Sequence, residues 1–140
     1  MGAAAGRALG VADAEAGSGP VQLDLAVTHG TLSIAQTLGS DFRINTTTAN
    51  AQQAPRVAVA ADGRYVVVWQ SLNQDGSKNG IYARLYAADG SARSGEIAVN
   101  TTTTDEQSTP AVAIDGSGRF VVAWQSYDAA KLTYDIYARS

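Results

Sequence analysis

The chain contains no cysteine. This excludes disulfide cross-links, thiolate nucleophiles and cysteine-based metal sites, and it leaves the redox compartment unmarked. His29 is the sole histidine, so a histidine-dependent triad or zinc site would have to be assembled around one residue of that type. Charge is sparse too: Asp, Glu, Lys and Arg make up 16% of the residues, with a net charge of -3 and no Lys/Arg cluster. Such a chain lacks the concentrated basic footprint of a nucleic-acid surface. No apolar run approaches the roughly 18 residues that mark a spanning helix. The stretch from Met1 to Gly10 has neither the basic start nor the continuous apolar segment of a secretory signal. Gly6 stands where a myristoylated Gly2 expects Ser or Thr. No Gly-rich phosphate loop and no Ser nucleophile in a recognisable setting is found.

Thr, Val, Tyr and Gly are plentiful, and these are residues of pleated strands and tight turns. They predict an all-β protein. A gapless internal repeat organises most of it, with Asp41 to Leu85 matching Glu96 to Ser140 at a period of about 55 residues and about 19 of 45 positions identical. The shared words are Asn45 to Thr48 with Asn100 to Thr103, Gln52 with Gln107, and Pro55 with Pro110. Val57-Ala58 then matches Val112-Ala113, Gly63 to Ser71 matches Gly118 to Ser126, and Ile81 to Arg84 matches Ile136 to Arg139.

Within one unit the pattern reads as four short strands: Phe42 to Asn45, Arg56 to Ala60, Tyr65 to Trp69 and Ile81 to Tyr86. Asp62-Gly63 forms a hairpin turn between the second and third. The third strand, Tyr65-Val66-Val67-Val68-Trp69, is apolar on both faces, as is its counterpart Phe120 to Trp124. A strand covered on both sides reads this way, and the central strands of a β-propeller blade are so covered. The expected architecture is therefore two propeller-blade-like four-stranded repeats, 41–95 and 96–140, the second incomplete, preceded by a β-hairpin. Two such units are fewer than a repeat array needs to bury its faces, so the expectation is a fragment of a larger array, with neighbouring repeats of the same parent chain as partners and a tendency to self-associate.

Ahead of the repeats, 1–19 reads as a flexible Ala/Gly-rich lead and 20–40 as a β-hairpin. Its strands, Val21 to Thr28 and Thr31 to Leu38, fold about His29-Gly30 so that Val27 meets Leu32 and Leu25 meets Ile34.

Candidate sites are few. Asn73, Asp75, Ser77 and Asn79 place oxygen side chains at alternate positions, a layout that can wrap a hard cation such as calcium. Only Asp75 among them is charged, and a polar hairpin loop explains the same residues. Asp115-Gly116-Ser117-Gly118 suggests an Asp-capped turn. Asn45-Thr46-Thr47 and Asn100-Thr101-Thr102 match a glycosylation sequon, although turn and strand chemistry accounts for their repetition. Trp69 and Trp124 offer sugar-stacking surfaces if they face a groove and core anchors if they do not.

The words Asn-Thr-Thr-Thr, Gly-Arg-Tyr-Val-Val-Val-Trp-Gln-Ser and Ile-Tyr-Ala-Arg-Leu-Tyr-Ala-Ala-Asp-Gly resemble the tandem repeats of large bacterial adhesin-like or RTX-like surface and secreted proteins. Val11 to Gly17 with Leu25 to Leu32 resembles the opening of the cadherin-like or Ig-like modules of the same giants, with Glu15 in place of their second Asp. The resemblance implies an extracellular or cell-surface protein with an adhesive or scaffolding role. Calcium is its implied cofactor, surface glycans or proteins are its partners, and the segment carries no catalysis of its own. A carbohydrate- or ligand-binding propeller is the alternative, and a hydrolase propeller with catalytic groups outside this chain is a third class.

Overall fold

A computed structural model describes residues 39–140. The lead assigned to 1–19 and the hairpin strands of 20–40 fall outside that range. The described residues are all-β, without helix, and form two antiparallel sheets. The first sheet contains β1 (Gln52–Val59), β2 (Tyr65–Leu72), β3 (Asn79–Tyr86) and β4 (Ile97–Ala98), in that spatial order. The second contains β5 (Gln107–Ile114), β6 (Phe120–Asp128) and β7 (Thr133–Arg139). No helix among the described residues is long and apolar enough to cross a membrane.

Both sheets are meanders with one register. Val57 opposes Val67 and Val59 opposes Tyr65 in the first; Val112 opposes Val122 and Ile114 opposes Phe120 in the second. Each corresponding pair is displaced by one sequence period. Irregularities recur at the same place, with a bulge between Gln53 and Arg56 in β1 and another between Ser108 and Ala111 in β5. In both bulges the residue before proline takes a positive φ, 52° at Ala54 and 55° at Thr109. Two residues there oppose a single Trp, so the strand bends and the alternation of faces resets.

The hairpin turns also correspond. The Ala60 amide donates to the Arg64 carbonyl at 2.8 Å around Gly63 at φ 84°, and the Asp115 amide donates to the Arg119 carbonyl at 2.8 Å around Gly118 at φ 88°. Glycine is favoured here because the left-handed conformation penalises a Cβ. At Gly118 a Cβ would also meet the Arg64 guanidinium at 2.5 Å, so the two turns lie against each other.

Two sequence expectations are corrected by the pairing. Phe42 to Asn45, expected as a strand, joins no ladder among the described residues. Its counterpart Ile97–Ala98 is a strand, but it pairs with β3, Ala98 opposite Tyr82 and Ile97 opposite Ala83. Ile81 to Tyr86 is therefore the third strand of its sheet, and the edge strand comes from beyond Gly95. A strand needs a neighbouring edge as well as a pattern, and among the described residues only the later segment has one.

The core lies between the sheets. Val66, Val68, Ile81 and Ala83 on one face of the first sheet pack against Val122 and Trp124, with Val112, Ile114 and Phe120 partly covered beside them. The opposite face of the first sheet carries a smaller cluster of Val67, Trp69, Tyr82 and Tyr86, over which Ile44 is laid. This is why β2 is apolar on both sides: both sides are covered.

Candidate functional site

The features with functional content are the two outer faces of the sheet pair, the edge of β7 that has no strand partner among the described residues, and the β2–β3 loop. The sheets are positioned by polar contacts that recur once per period. The indole Nε1 of Trp69 donates to Gln52 Oε1 at 2.9 Å, and Gln52 Nε2 donates to the Ala49 carbonyl at 3.2 Å. Trp124 donates to Gln107 at 3.1 Å, and Gln107 donates to the Thr104 carbonyl at 3.1 Å. A buried indole N–H needs an acceptor. The glutamine supplies it and ties down the segment entering its own strand.

Arginine makes the second recurring contact. Arg84 Nη1 donates to the Ile44 carbonyl at 2.7 Å, and Arg139 Nη1 donates to the Val99 carbonyl at 2.9 Å. Each holds the segment preceding its sheet across that sheet's face. Asn45 and Asn100 fold those segments back through side-chain amide donation to Thr47 and Thr102 carbonyls at 2.7 and 2.9 Å. The sequon-like words therefore serve as turns. Asn100 also supports the neighbouring strand, because its Oδ1 accepts from the buried Ile81 N–H at 2.7 Å and so extends the edge pairing on β3.

Glu96 stands where Asp41 stands in the first period. Its carboxylate accepts from the Thr46 and Thr47 amides, from Thr47 Oγ1 at 2.9 Å and from Gln74 Nε2 at 2.7 Å. Partial burial favours the neutral acid, but these donations outweigh it and hold the carboxyl at about 2. Glu96 thus joins the entry segment, the β2–β3 loop and the edge strand. Burial, reinforced by the nearby Asp75 and Glu96 carboxylates, raises the Tyr82 hydroxyl.

The candidate cation ligands occupy that loop. Asn73 is exposed at its start with φ 58°, and Asn79 opens β3 opposite Leu72. Asp75 Oδ1 accepts from the Ser77 amide at 3.2 Å, and Oδ2 faces the Asn100 amide at 3.4 Å. The side-chain oxygens of Gln74 and Asn79 are buried without partners. Lys78 turns away to Asp105 at 3.4 Å. No group of three or more His, Cys, Asp or Glu converges among the described residues. One carboxylate with both oxygens already engaged supplies little of the charge that calcium loops provide.

The tryptophans are anchors. Trp69 is 4% exposed and stacks on Tyr82 at 6.4 Å between ring centroids, while Trp124 is 7% exposed and stacks on Tyr137 at 6.2 Å. With their N–H groups taken by glutamines, neither offers an open platform for a sugar ring. Asp115 caps its turn, accepting from Ser117 Oγ at 2.6 Å and from Arg119 Nε at 2.8 Å. These donations lower its carboxyl below the ordinary range.

A polar cleft of about 180 Å³ lies among Thr104, Asp105, Asp128 and Asp135, and the other clefts described are shallow and apolar. One of about 310 Å³ lies on the outer face of the first sheet between Phe42, Ile44, Pro55, Val67 and Trp69. Beside it Val57 and Val59 are 59% and 61% exposed. Ala111, Ala113, Val121 and Ala123 line a shallower hollow on the outer face of the second sheet. Comparison with known proteins finds no matching family model, no matching curated protein and no matching solved structure.

The glutamine and arginine contacts and the Glu96 cluster are not marked by any motif in the sequence. Gln52/Gln107 and Arg84/Arg139 recur as identities, and an acid recurs at Asp41/Glu96. Recurrence at polar positions is the signal that points to them.

Proposed function

We propose that the chain is a structural or adhesive segment of a bacterial extracellular or cell-surface protein, built from propeller-blade-like repeats. The observation that carries this reading is the coincidence of register, bulge and Trp–Gln contact in two sheets stacked on one another. Units of this kind share their hydrophobic faces with neighbours and are used as scaffolds. The clefts on the outer sheet faces are apolar and shallow, and the polar groups beside them are spent on holding the fold. This supports a scaffold role in preference to catalysis.

The resemblance of the repeated words to adhesin-like and RTX-like repeats supports the extracellular placement. Antibody against the chain should label intact, unpermeabilised cells of the source bacterium; labelling only after permeabilisation would remove the surface assignment. Incubating the full chain on a glycan array tests the alternative, a carbohydrate-binding propeller module. The scaffold reading expects no selective saccharide, and dose-dependent retention on one glycan class would replace it.

A further inference from the structure

The surface that the first sheet turns toward the second has a direct sequence counterpart on the second sheet, and that counterpart is uncovered. Val66, Ile81 and Ala83 are 0% exposed beneath Val122 and Trp124, whereas the register equivalents Val121 and Ile136 are 43% and 72% exposed. The covering surface behaves in the same way. Val112 and Ile114 pack into the core, while Val57 and Val59, one period earlier, face solvent. The edge of β3 is taken by Ile97–Ala98; the outer edge of β7 has no strand partner among the described residues.

We propose that the chain associates head to tail with a second copy of itself, the Val57 and Val59 face of one copy covering the Val121 and Ile136 face of the other. The inference rests on the repeat reading above and adds a surface, a partner and a register to it. The internal interface is the template. Carried forward by one period, the pairs Tyr82–Ala98 and Ala83–Ile97 place Arg43 and Phe42 of one copy opposite Tyr137 and Ala138 of the other. Asn45 then accepts from the Ile136 amide as Asn100 accepts from that of Ile81.

The receiving face suits this occupant. Ala111, Ala113, Val121, Ala123, Ile136 and Ala138 carry no charge, so covering them strands no ion. The entry segment need not leave its place, because its counterpart already lies over Trp124 through Val99 while pairing with β3. Contact between two different faces is heterologous, so it repeats until a ring closes or a filament grows.

Mixing variants of the full chain tests this by sedimentation velocity. Wild type should gain mass with concentration from micromolar to hundreds of micromolar. Val57→Asp with Val59→Asp, and separately Val121→Asp with Ile136→Asp, should each be monomeric, since each lacks one face. Their equimolar mixture should form a species of twice the monomer mass and nothing larger. Adding Tyr137→Cys to the first variant and Arg43→Cys to the second should trap that dimer on oxidation, since directly opposed strand positions lie within disulfide reach. A monomeric wild type, a monomeric mixture, or a variant that dimerises alone would each overturn the proposal. Tryptophan-fluorescence melts of the same samples separate the two levels: a cooperative melt with no association removes only the head-to-tail contact. Loss of the cooperative melt in wild type removes the two-sheet reading with it.

Discussion

Ile81 and Ile136 stand at the same register position, opposite Gln70 and Gln125 respectively, yet Ile81 is fully buried and Ile136 is 72% exposed. Local sequence around the two is nearly the same, with Ile-Tyr-Ala-Arg at both. The difference arises from what covers each face. Ile81→Ala should therefore destabilise the dilute chain by about 2–5 kcal/mol, while Ile136→Ala stays within about 0.5 kcal/mol of wild type. Urea unfolding at low protein concentration measures both, and equal costs would show that the faces are not distinguished as described.

The Trp124–Gln107 contact is expected to be worth more than an average surface hydrogen bond, because both residues are buried. Gln107→Leu keeps apolar bulk but leaves the indole N–H and the Thr104 carbonyl without their partner. The expected loss is about 1–3 kcal/mol, read by chemical denaturation, with a change in the near-ultraviolet tryptophan signal. A neutral outcome would mean that water replaces the amide at no cost.

Glu96 sets a pH response. Its carboxyl is lowered in the folded chain from an ordinary 4.5 to about 2. A depressed acid contributes stability that is fully present above the unfolded value and is lost as pH falls toward the folded one. The melting midpoint should decline between about pH 4.5 and pH 2, and Glu96→Gln should flatten part of that decline. Identical pH profiles for the two proteins would show that the Thr46, Thr47 and Gln74 donations do not favour the charged form.

Much of this fold was legible in the sequence because its signal is doubled. The period aligns Gly63 with Gly118 and Trp69 with Trp124 without any knowledge of pairing, and the doubly apolar Tyr65 to Trp69 marks a strand covered on both sides. Features that depend on distant partners were less legible. Pro55 hides the continuation of β1 back to Gln52, since the ladder passes the proline only through a bulge. Phe42 to Asn45 and Ile97–Ala98 share a pattern and differ in pairing because, among the described residues, only one has an edge beside it. Gln107 and Arg139 read as ordinary polar residues until Trp124 and the Val99 carbonyl are placed against them.

The β2–β3 loop is expected to behave as a hairpin held by Asp75, without calcium. Melting curves with calcium and with chelator should coincide, and Asp75→Asn should shift both equally. A midpoint raised by calcium in wild type, and insensitive to it in Asp75→Asn, would instead identify Asn73, Asp75, Ser77 and Asn79 as ligands.

Hydrogen exchange of dilute, monomeric chain tests the stacking of two equivalent sheets most directly, because it compares β3 with β7 strand for strand. Amides of Ile81 to Ala83 lie in a strand paired on both edges and buried beneath the second sheet, whereas those of Ile136 to Ala138 lie in an exposed strand paired on one edge among the described residues. The first set should exchange with the slowest amides of the chain and the second orders of magnitude faster. Equal protection of the two sets, or rapid exchange throughout β2 and β3, would contradict the arrangement.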